Sequence, residues 1–384
     1  MKKWKIGIVK DTSVPMFGLH GLHTAFQGLP NVEVVAHVDS NPENIEEKMS
    51  FTKAKSHYLT IDEMLKHETP DIVVLCSRHP YDHLEQIRTV AEKGCHIYCE
   101  KPLSASLREA DEIVAIAEKN NIKICLGHPC RYGLAFLTIK KMIESGEIGI
   151  PITIYSRGKN DYRGGGEDMM VLGTHILDLQ AFLFGAPETV YAEVTTNGQP
   201  IVKTSRNKTF EPIGPAAGDR IFASFRFPNN VRGIFESQKD IYKSGDIHTH
   251  MGITVVGTKG TLTMRFDDVF DRQLRISRKP CPAEYESDFE IVPLNESRII
   301  PGVEPRDYSS LDHDIPKVPI FLESTRYAAW DLMNSIEADR QPVSNVYTAR
   351  TTLEMIYGIY NSSLTQGVIK FPLQNRFHPL ENYS

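Results

Sequence analysis

Residues 71–103 read DIVVLCSRHPYDHLEQIRTVAEKGCHIYCEKPL. The apolar run 71–76 has the length and β-branched content of a buried strand. Pro80 can open a helix that continues through Lys93, Gly94 stops it, and a second apolar run follows at 96–99. Strand, crossover helix and strand make a βαβ unit, whose two strands lie parallel. Outward from it, further short apolar runs stand at 5–9, 32–38 and 122–126, and Ser104 is placed to cap a helix running to Lys119. The alternation predicts an α/β Rossmann domain over residues 1–127.

Beyond residue 127 the period changes. A helix over 133–145, ending at Gly146, precedes runs at 150–157, 189–196, 220–226, 231–238, 251–256 and 261–266, with Asn229-Asn230 and Lys259-Gly260 as turns. Helical periodicity returns at 318–337 and 346–366, with Gly367 as C-cap. The expectation is an α+β domain over 128–384 with a large, mainly antiparallel sheet, serving substrate binding and oligomerisation. The chain of 384 residues is long for one core and comfortable for two.

Composition narrows the function. With 24% charged residues, a net charge of -6 and Lys and Arg scattered along the chain, nucleic acid is not an expected partner. No apolar run approaches a membrane span and the first residues enter a strand pattern directly, so the reading is a cytoplasmic protein without a membrane partner. Six cysteines without a CxxC pair read as buried, reduced thiols.

The first strand, Lys5-Ile6-Gly7-Ile8-Val9, leads into Lys10-Asp11-Thr12-Ser13-Val14-Pro15-Met16-Phe17-Gly18, a loop that lacks the GxGxxG fingerprint. The second ends in Val38-Asp39-Ser40-Asn41-Pro42, which puts an acid where a ribose 2′-hydroxyl would bind and favours NAD over NADP; a turn or N-cap role is the competing reading. At the end of the fourth run stands Cys99-Glu100-Lys101-Pro102-Leu103, and after the fifth Gly127-His128-Pro129-Cys130-Arg131-Tyr132. Ligands of open α/β sheets bind beyond the carboxyl ends of the strands, so Glu100 and Lys101 fall on the functional edge.

At these residues the chain resembles the Gfo/Idh/MocA oxidoreductases, the family of glucose-fructose oxidoreductase and inositol dehydrogenase, whose hallmark is a Glu-Lys-Pro at this place. The resemblance extends to Gly21-Leu22-His23-Thr24-Ala25 on the first helix, Val255-Val256-Gly257-Thr258-Lys259-Gly260 in the sheet and Thr348-Ala349-Arg350 near the end. It implies NAD as cofactor and Lys101 beside the nicotinamide, where a lysine moves a proton if burial or a neighbouring cation lowers its pKa. The expected cofactor positions are Gly7, Thr12, Asp39, Ser77, His79, His83, Glu100 and Lys101.

The substrate side is expected in Arg163-Gly164-Gly165-Gly166-Glu167-Asp168-Met169-Met170-Val171-Leu172-Gly173-Thr174-His175-Ile176-Leu177-Asp178. Relatives usually carry an Asp four residues before the His, and here that position is Val171. If the segment is one helix, Glu167 and Asp168 lie on broadly the same face as His175 and one of them substitutes for the missing carboxylate; favouring the helix N-terminus is the plainer role. His175 is the second expected proton-handling group, with Arg131, Tyr162, Arg163, Glu167, Asp168 and Asp178 as substrate contacts. His248 and His250 alternate on one strand but complete no ligand set, so no metal is expected.

These readings predict an NAD-dependent enzyme oxidising a sugar, cyclitol or related polyol, and forming a homo-oligomer. The alternatives are a redox-neutral glycosidase or lyase that keeps its NAD through a transient keto-sugar, and a non-catalytic nucleotide or sugar sensor.

Overall fold

Short strands buried on both faces are the mark of a parallel sheet covered by helices. Ile72–Leu75 is such a strand, with all four residues buried. It is β4 of a six-stranded parallel sheet in a computed structural model that describes residues 2–14, 21–241, 251–265, 273–280, 286–294, 300, 303 and 319–381. The others are β1 (Trp4–Val9), β2 (Val32–Val38), β3 (Ser56–Tyr58), β5 (His96–Cys99) and β6 (Ile124–Leu126). Their order, β3-β2-β1-β4-β5-β6, is the doubly wound Rossmann order, with the switch point between β1 and β4.

The connecting helices are α1 (Ile45–Thr52), α2 (Ile61–His67), α3 (His83–Ala91) and α4 (Leu107–Lys119). The cap of α4 is Ser106, whose hydroxyl accepts from the Glu109 amide, and not Ser104, whose hydroxyl instead donates to the Ser106 carbonyl. The first helix expected around 21–25 is a single 3₁₀ turn, Leu22–Thr24, entered through Gly21 in the left-handed region at φ 84°.

Contacts divide the chain into two compact units, and the division is not one cut at residue 127. The first unit takes Met1–Gly133 together with Glu296–Arg350, and the second takes Leu134–Asn295 with Thr351–Ser384. Within the first, α7 (Pro319–Glu337) sends Ala328, Ala329, Leu332 and Met333 into the core formed by Trp4, Ile6, Ile8, Phe26, Ile72, Val74 and Tyr98. An apolar stripe far along the sequence thereby covers one face of the parallel sheet.

The second unit is built on a ten-stranded sheet. Its strands are β7 (Pro151–Arg157), β8 (Thr189–Thr196), β9 (Gln199–Pro200), β10 (Arg220–Arg226), β11 (Arg232–Gln238), β12 (Gly252–Gly257), β13 (Thr261–Arg265), β14 (Arg275–Ser277), β15 (Glu290–Ile291) and β16 (Ile369–Lys370). The order is β15-β14-β13-β12-β7-β11-β10-β8-β16, with β9 paired to β8; among the described residues only the β7–β11 pair runs parallel. Asn229 and Asn230, at φ 60° and 61°, turn β10 back into β11.

Helices α5 (Leu134–Glu144), α6 (Gly173–Phe184) and α8 (Val346–Thr365) complete the described α-helices, and the unit boundary at Arg350 falls inside α8. The left-handed residue that ends α8 is Gln366 at φ 52°, one residue before the expected Gly367. Among the described residues no helix is long and apolar enough to cross a membrane. Five cysteines, Cys76, Cys95, Cys99, Cys125 and Cys130, are free and buried.

Candidate active site

In the first unit the carboxyl ends of β1, β2, β4 and β5 bring together most of the expected cofactor positions. Asp39 closes β2 fully buried. Its Oδ1 accepts from the amides of Thr12 (2.9 Å) and Asn41 (2.9 Å), and its Oδ2 from Thr12 Oγ1 (2.8 Å) and Lys48 Nζ (2.8 Å). Burial alone would raise this carboxyl; the hydrogen bonds from Lys48, Thr12 and Asn41 outweigh it and hold the group below its ordinary value. Thr12 and Asp39 are therefore bonded to each other, and Lys48 on α1 is a partner that sequence reading missed.

After β4, Ser77 Oγ donates to Asp82 Oδ2 (2.6 Å) and accepts from the His79 amide (3.1 Å). The His83 ring spans the carbonyls of Leu103 (3.1 Å) and Ser77 (2.8 Å), fixing the loop after β4 to the segment after β5. Gly7 lies inside β1, where a Cβ would stand 2.7 Å from the Met64 sulfur, so its role is close packing against α2. At the end of β5, Glu100 and Lys101 are both about 1% exposed, and the Lys101 amide donates to Glu100 Oε2 (3.2 Å). Lysine is among the residues least often fully buried, so this burial marks the position.

Arg131 and Tyr132 follow β6. Arg131 Nη1 donates to the Val343 carbonyl (3.3 Å), and the Tyr132 hydroxyl donates to Asp331 Oδ2 (2.9 Å) and accepts from the Ser344 amide (3.0 Å). These bonds join the 129–132 turn to α7 and to the stretch after it.

In the second unit the expected helix from Glu167 through His175 is interrupted. Asp168–Met170 is a 3₁₀ turn, Val171 departs from helical geometry at φ -96° and ψ -85°, and α6 starts at Gly173. Spacing on an unbroken helix therefore does not relate Glu167 or Asp168 to His175. Instead, Glu167 Oε1 accepts from the amides of Phe210 (2.9 Å) and Glu211 (3.0 Å). Asp168 Oδ2 accepts from the Lys159 amide (2.8 Å) and Ser237 Oγ (2.8 Å). Burial is the main cause raising both carboxyls.

The glycines before them permit close backbone approach: a Cβ on Gly165, already at φ 74°, would stand 2.6 Å from the Gly218 carbonyl oxygen. Arg163 lies 3.5 Å from Asp161 Oδ2, 3.6 Å from Glu211 Oε1 and over the Tyr162 ring at 5.2 Å. Tyr162 packs edge-on against Phe210 at 4.5 Å. Lys159, unremarked in the sequence, is lowered by burial and by Arg163. His175 is buried in the first turn of α6, and Asp178, one turn on, accepts from Thr352 Oγ1 (3.3 Å). His248 and His250 lie outside the described residues. Among those described, no group of three or more His, Cys, Asp or Glu could hold a metal ion.

The donor set of the first unit fits a nicotinamide dinucleotide. The His79 imidazole and the Lys101 ammonium follow strand ends beside the switch point, where open α/β sheets bind such ligands, while the Thr12 and Ser77 hydroxyls shape that edge through their bonds to Asp39 and Asp82. Fold and strand-end residues together define a protein with a dinucleotide-binding Rossmann fold. Residues 16–128 match the family profile described as "Oxidoreductase family, NAD-binding Rossmann fold", and residues 136–263 match the C-terminal domain of the same family. The chain belongs to the Gfo/Idh/MocA oxidoreductases.

It is 30% identical over 220 residues to an uncharacterized oxidoreductase, YrbE, of Bacillus subtilis, covering 54% of this chain and 60% of that one. It is 27% identical over 226 residues to myo-inositol 2-dehydrogenase of Thermotoga maritima, covering 57% and 62%. The chain thus spans about three fifths of the length of these two relatives. In fold it is similar to a levoglucosan dehydrogenase solved with NADH and L-sorbose, at a TM-score of 0.73 and 18% identity over 97% of this chain and all of that one.

Proposed function

We propose that this protein is an NAD-dependent dehydrogenase of a sugar, cyclitol or related polyol. The observation that carries the reading is Lys101, a lysine buried at the carboxyl end of β5 on the ligand-binding edge of a Rossmann sheet. Relatives named for inositol and glucose-6-phosphate dehydrogenation support the substrate class. His79 and Lys101 would hold the dinucleotide at an edge shaped by Thr12 and Ser77, and the dinucleotide when bound supplies the acceptor of the carbinol's two electrons. In the first unit Lys101 takes up the hydroxyl proton; in the second, His175 is the other proton-handling candidate, and Arg163 with Tyr162 offers a cation and an aromatic face of the kind that suits a polyhydroxylated ring. Glu167 and Asp168 act as positioning residues, because their acceptor oxygens hold the 210–211 amides and the 159–237 pair.

The test is absorbance of reduced nicotinamide with NAD and a panel of sugars, cyclitols, sugar acids and glycosides. Accumulating NADH with one class is the expected result. A flat trace with a consumed glycoside would replace this reading by redox-neutral chemistry, and no change in any compound would leave a binding protein.

The partner of the second unit is a second copy of this chain. One face of the ten-stranded sheet carries Tyr155 beside Ile234, Ile234 opposite Ser224, and Ser224 opposite Tyr191, with Phe222 in the next row opposite Glu236. Tyr155, Tyr191 and Phe222 are exposed, an apolar set of the kind that marks a protein contact. Light scattering should give a dimer or larger assembly for the full chain, and Ile234→Lys should reduce it to the mass of one chain; a monomeric wild type would overturn the proposal.

A further inference from the structure

The acid at the end of β2 is spoken for. An ionised carboxylate offers about four acceptor sites, and Asp39 has a hydrogen-bond donor at each: the Thr12 and Asn41 amides on Oδ1, the Thr12 hydroxyl and the Lys48 ammonium on Oδ2. With the residue fully buried, no acceptor site is left for a ribose hydroxyl. Lys48 is equally committed, its three protons going to Asp39 Oδ2 (2.8 Å), Thr12 Oγ1 (2.7 Å) and the Asn41 carbonyl (2.8 Å). Thr12 Oγ1 donates to Asp39 and accepts from Lys48, so the three side chains close a ring of hydrogen bonds.

Charge follows from the same ring. The Asp39 carboxylate and the Lys48 ammonium cancel. Of the other groups facing Asp39, His37 lies 3.9 Å from Oδ2 and is lowered to about 4, chiefly by burial, which leaves it neutral at pH 7. The His57 ring is 2.8 Å from the Asp39 carbonyl. Lys10, at the end of β1, and Asp11, which accepts from Ser40 Oγ at 2.9 Å, add one charge of each sign. The strand end that in NAD-selective Rossmann folds presents a free carboxylate presents here a neutral, closed cluster.

We infer that Lys48 neutralises Asp39 and thereby removes the charge by which that acid would reject a 2′-phosphate, so that the first unit binds NADP as well as NAD. This rests on the reading of that sheet edge as the dinucleotide site. Lys48 is the specificity-determining residue, since without it Asp39 regains an uncompensated charge and a free acceptor.

The test is titration of the full chain with NADH and with NADPH, following nicotinamide fluorescence, for the wild type and for Lys48→Met and Lys48→Arg. The wild-type dissociation constants should agree within about tenfold. Lys48→Met should raise the NADPH-to-NADH ratio of dissociation constants by about tenfold or more, and Lys48→Arg, which keeps the charge, should leave it near wild type. A wild-type preference for NADH beyond about a hundredfold, or an unchanged ratio in Lys48→Met, overturns the inference; the wild-type ratio decides even if Lys48→Met does not fold. Binding of neither dinucleotide would instead overturn the cofactor reading on which the inference stands.

Discussion

Lys101→Met is expected to lower kcat by about 10²–10⁴-fold, the usual worth of a positioned proton-transfer group. The substitution keeps the aliphatic stem and removes only the ammonium. In the variant turnover should collapse and the pH profile of kcat should lose one limb, and NADH should bind more weakly than to wild type, because one of the groups that hold the dinucleotide is gone. Lys101→Arg should not rescue turnover, because arginine cannot give up its proton at working pH. Unchanged kcat in Lys101→Met would remove the proton-transfer role; a fall in Tm with kcat preserved would make Lys101 a packing residue.

The parallel sheet is legible in the sequence because its strands are buried on both faces and contain little but apolar residues, as at Ile72–Leu75 and His96–Cys99. Strand β3 escapes that reading: Ser56–Tyr58 is three residues long, half-buried and at the edge of the sheet. The second sheet is legible through alternation, as in Arg220–Arg226, where Ile221, Ala223 and Phe225 are buried and the residues between them are not.

What local patterns do not carry is pairing across distance. Glu167 and Asp168 were visible as acids near a helix start, yet their partners lie 43 and 69 residues away, in a loop and on β11. The break at Val171 has no Gly or Pro at that position to announce it. Lys48 likewise reads as one more exposed helix charge until the fold brings it to Asp39. The membership of α7 in the first unit depends on Ala328, Ala329 and Leu332 meeting strand residues as far back as Trp4 and Ile6, which periodicity alone cannot assign.

Asp168→Ala is expected to destabilise the second unit by about 3 kcal/mol, the cost of stripping a buried charged cluster of one member. Gly158 shows how closely the carboxylate is fitted: a Cβ there would stand 1.9 Å from Asp168 Oδ2, so the glycine leaves the space the carboxylate fills. Its loss frees the Lys159 amide and the Ser237 hydroxyl, and leaves the Lys159 ammonium without one of its compensating charges. Asp168→Asn keeps an acceptor for both donors and should cost much less. The two variants also differ in pH dependence. Burial raises the Asp168 carboxyl above its ordinary value, with Lys159 and Ser237 opposing. An acid held higher in the fold than in the unfolded chain favours folding at low pH, and that contribution is lost as pH rises from the ordinary aspartate value through the raised one. Urea unfolding across that window should show wild-type stability falling relative to Asp168→Asn as pH rises. Parallel curves for the two proteins would mean that Asp168 titrates alike in both states, and a small loss in Asp168→Ala would mean that Lys159 is compensated by Asp161 and Glu211 without it.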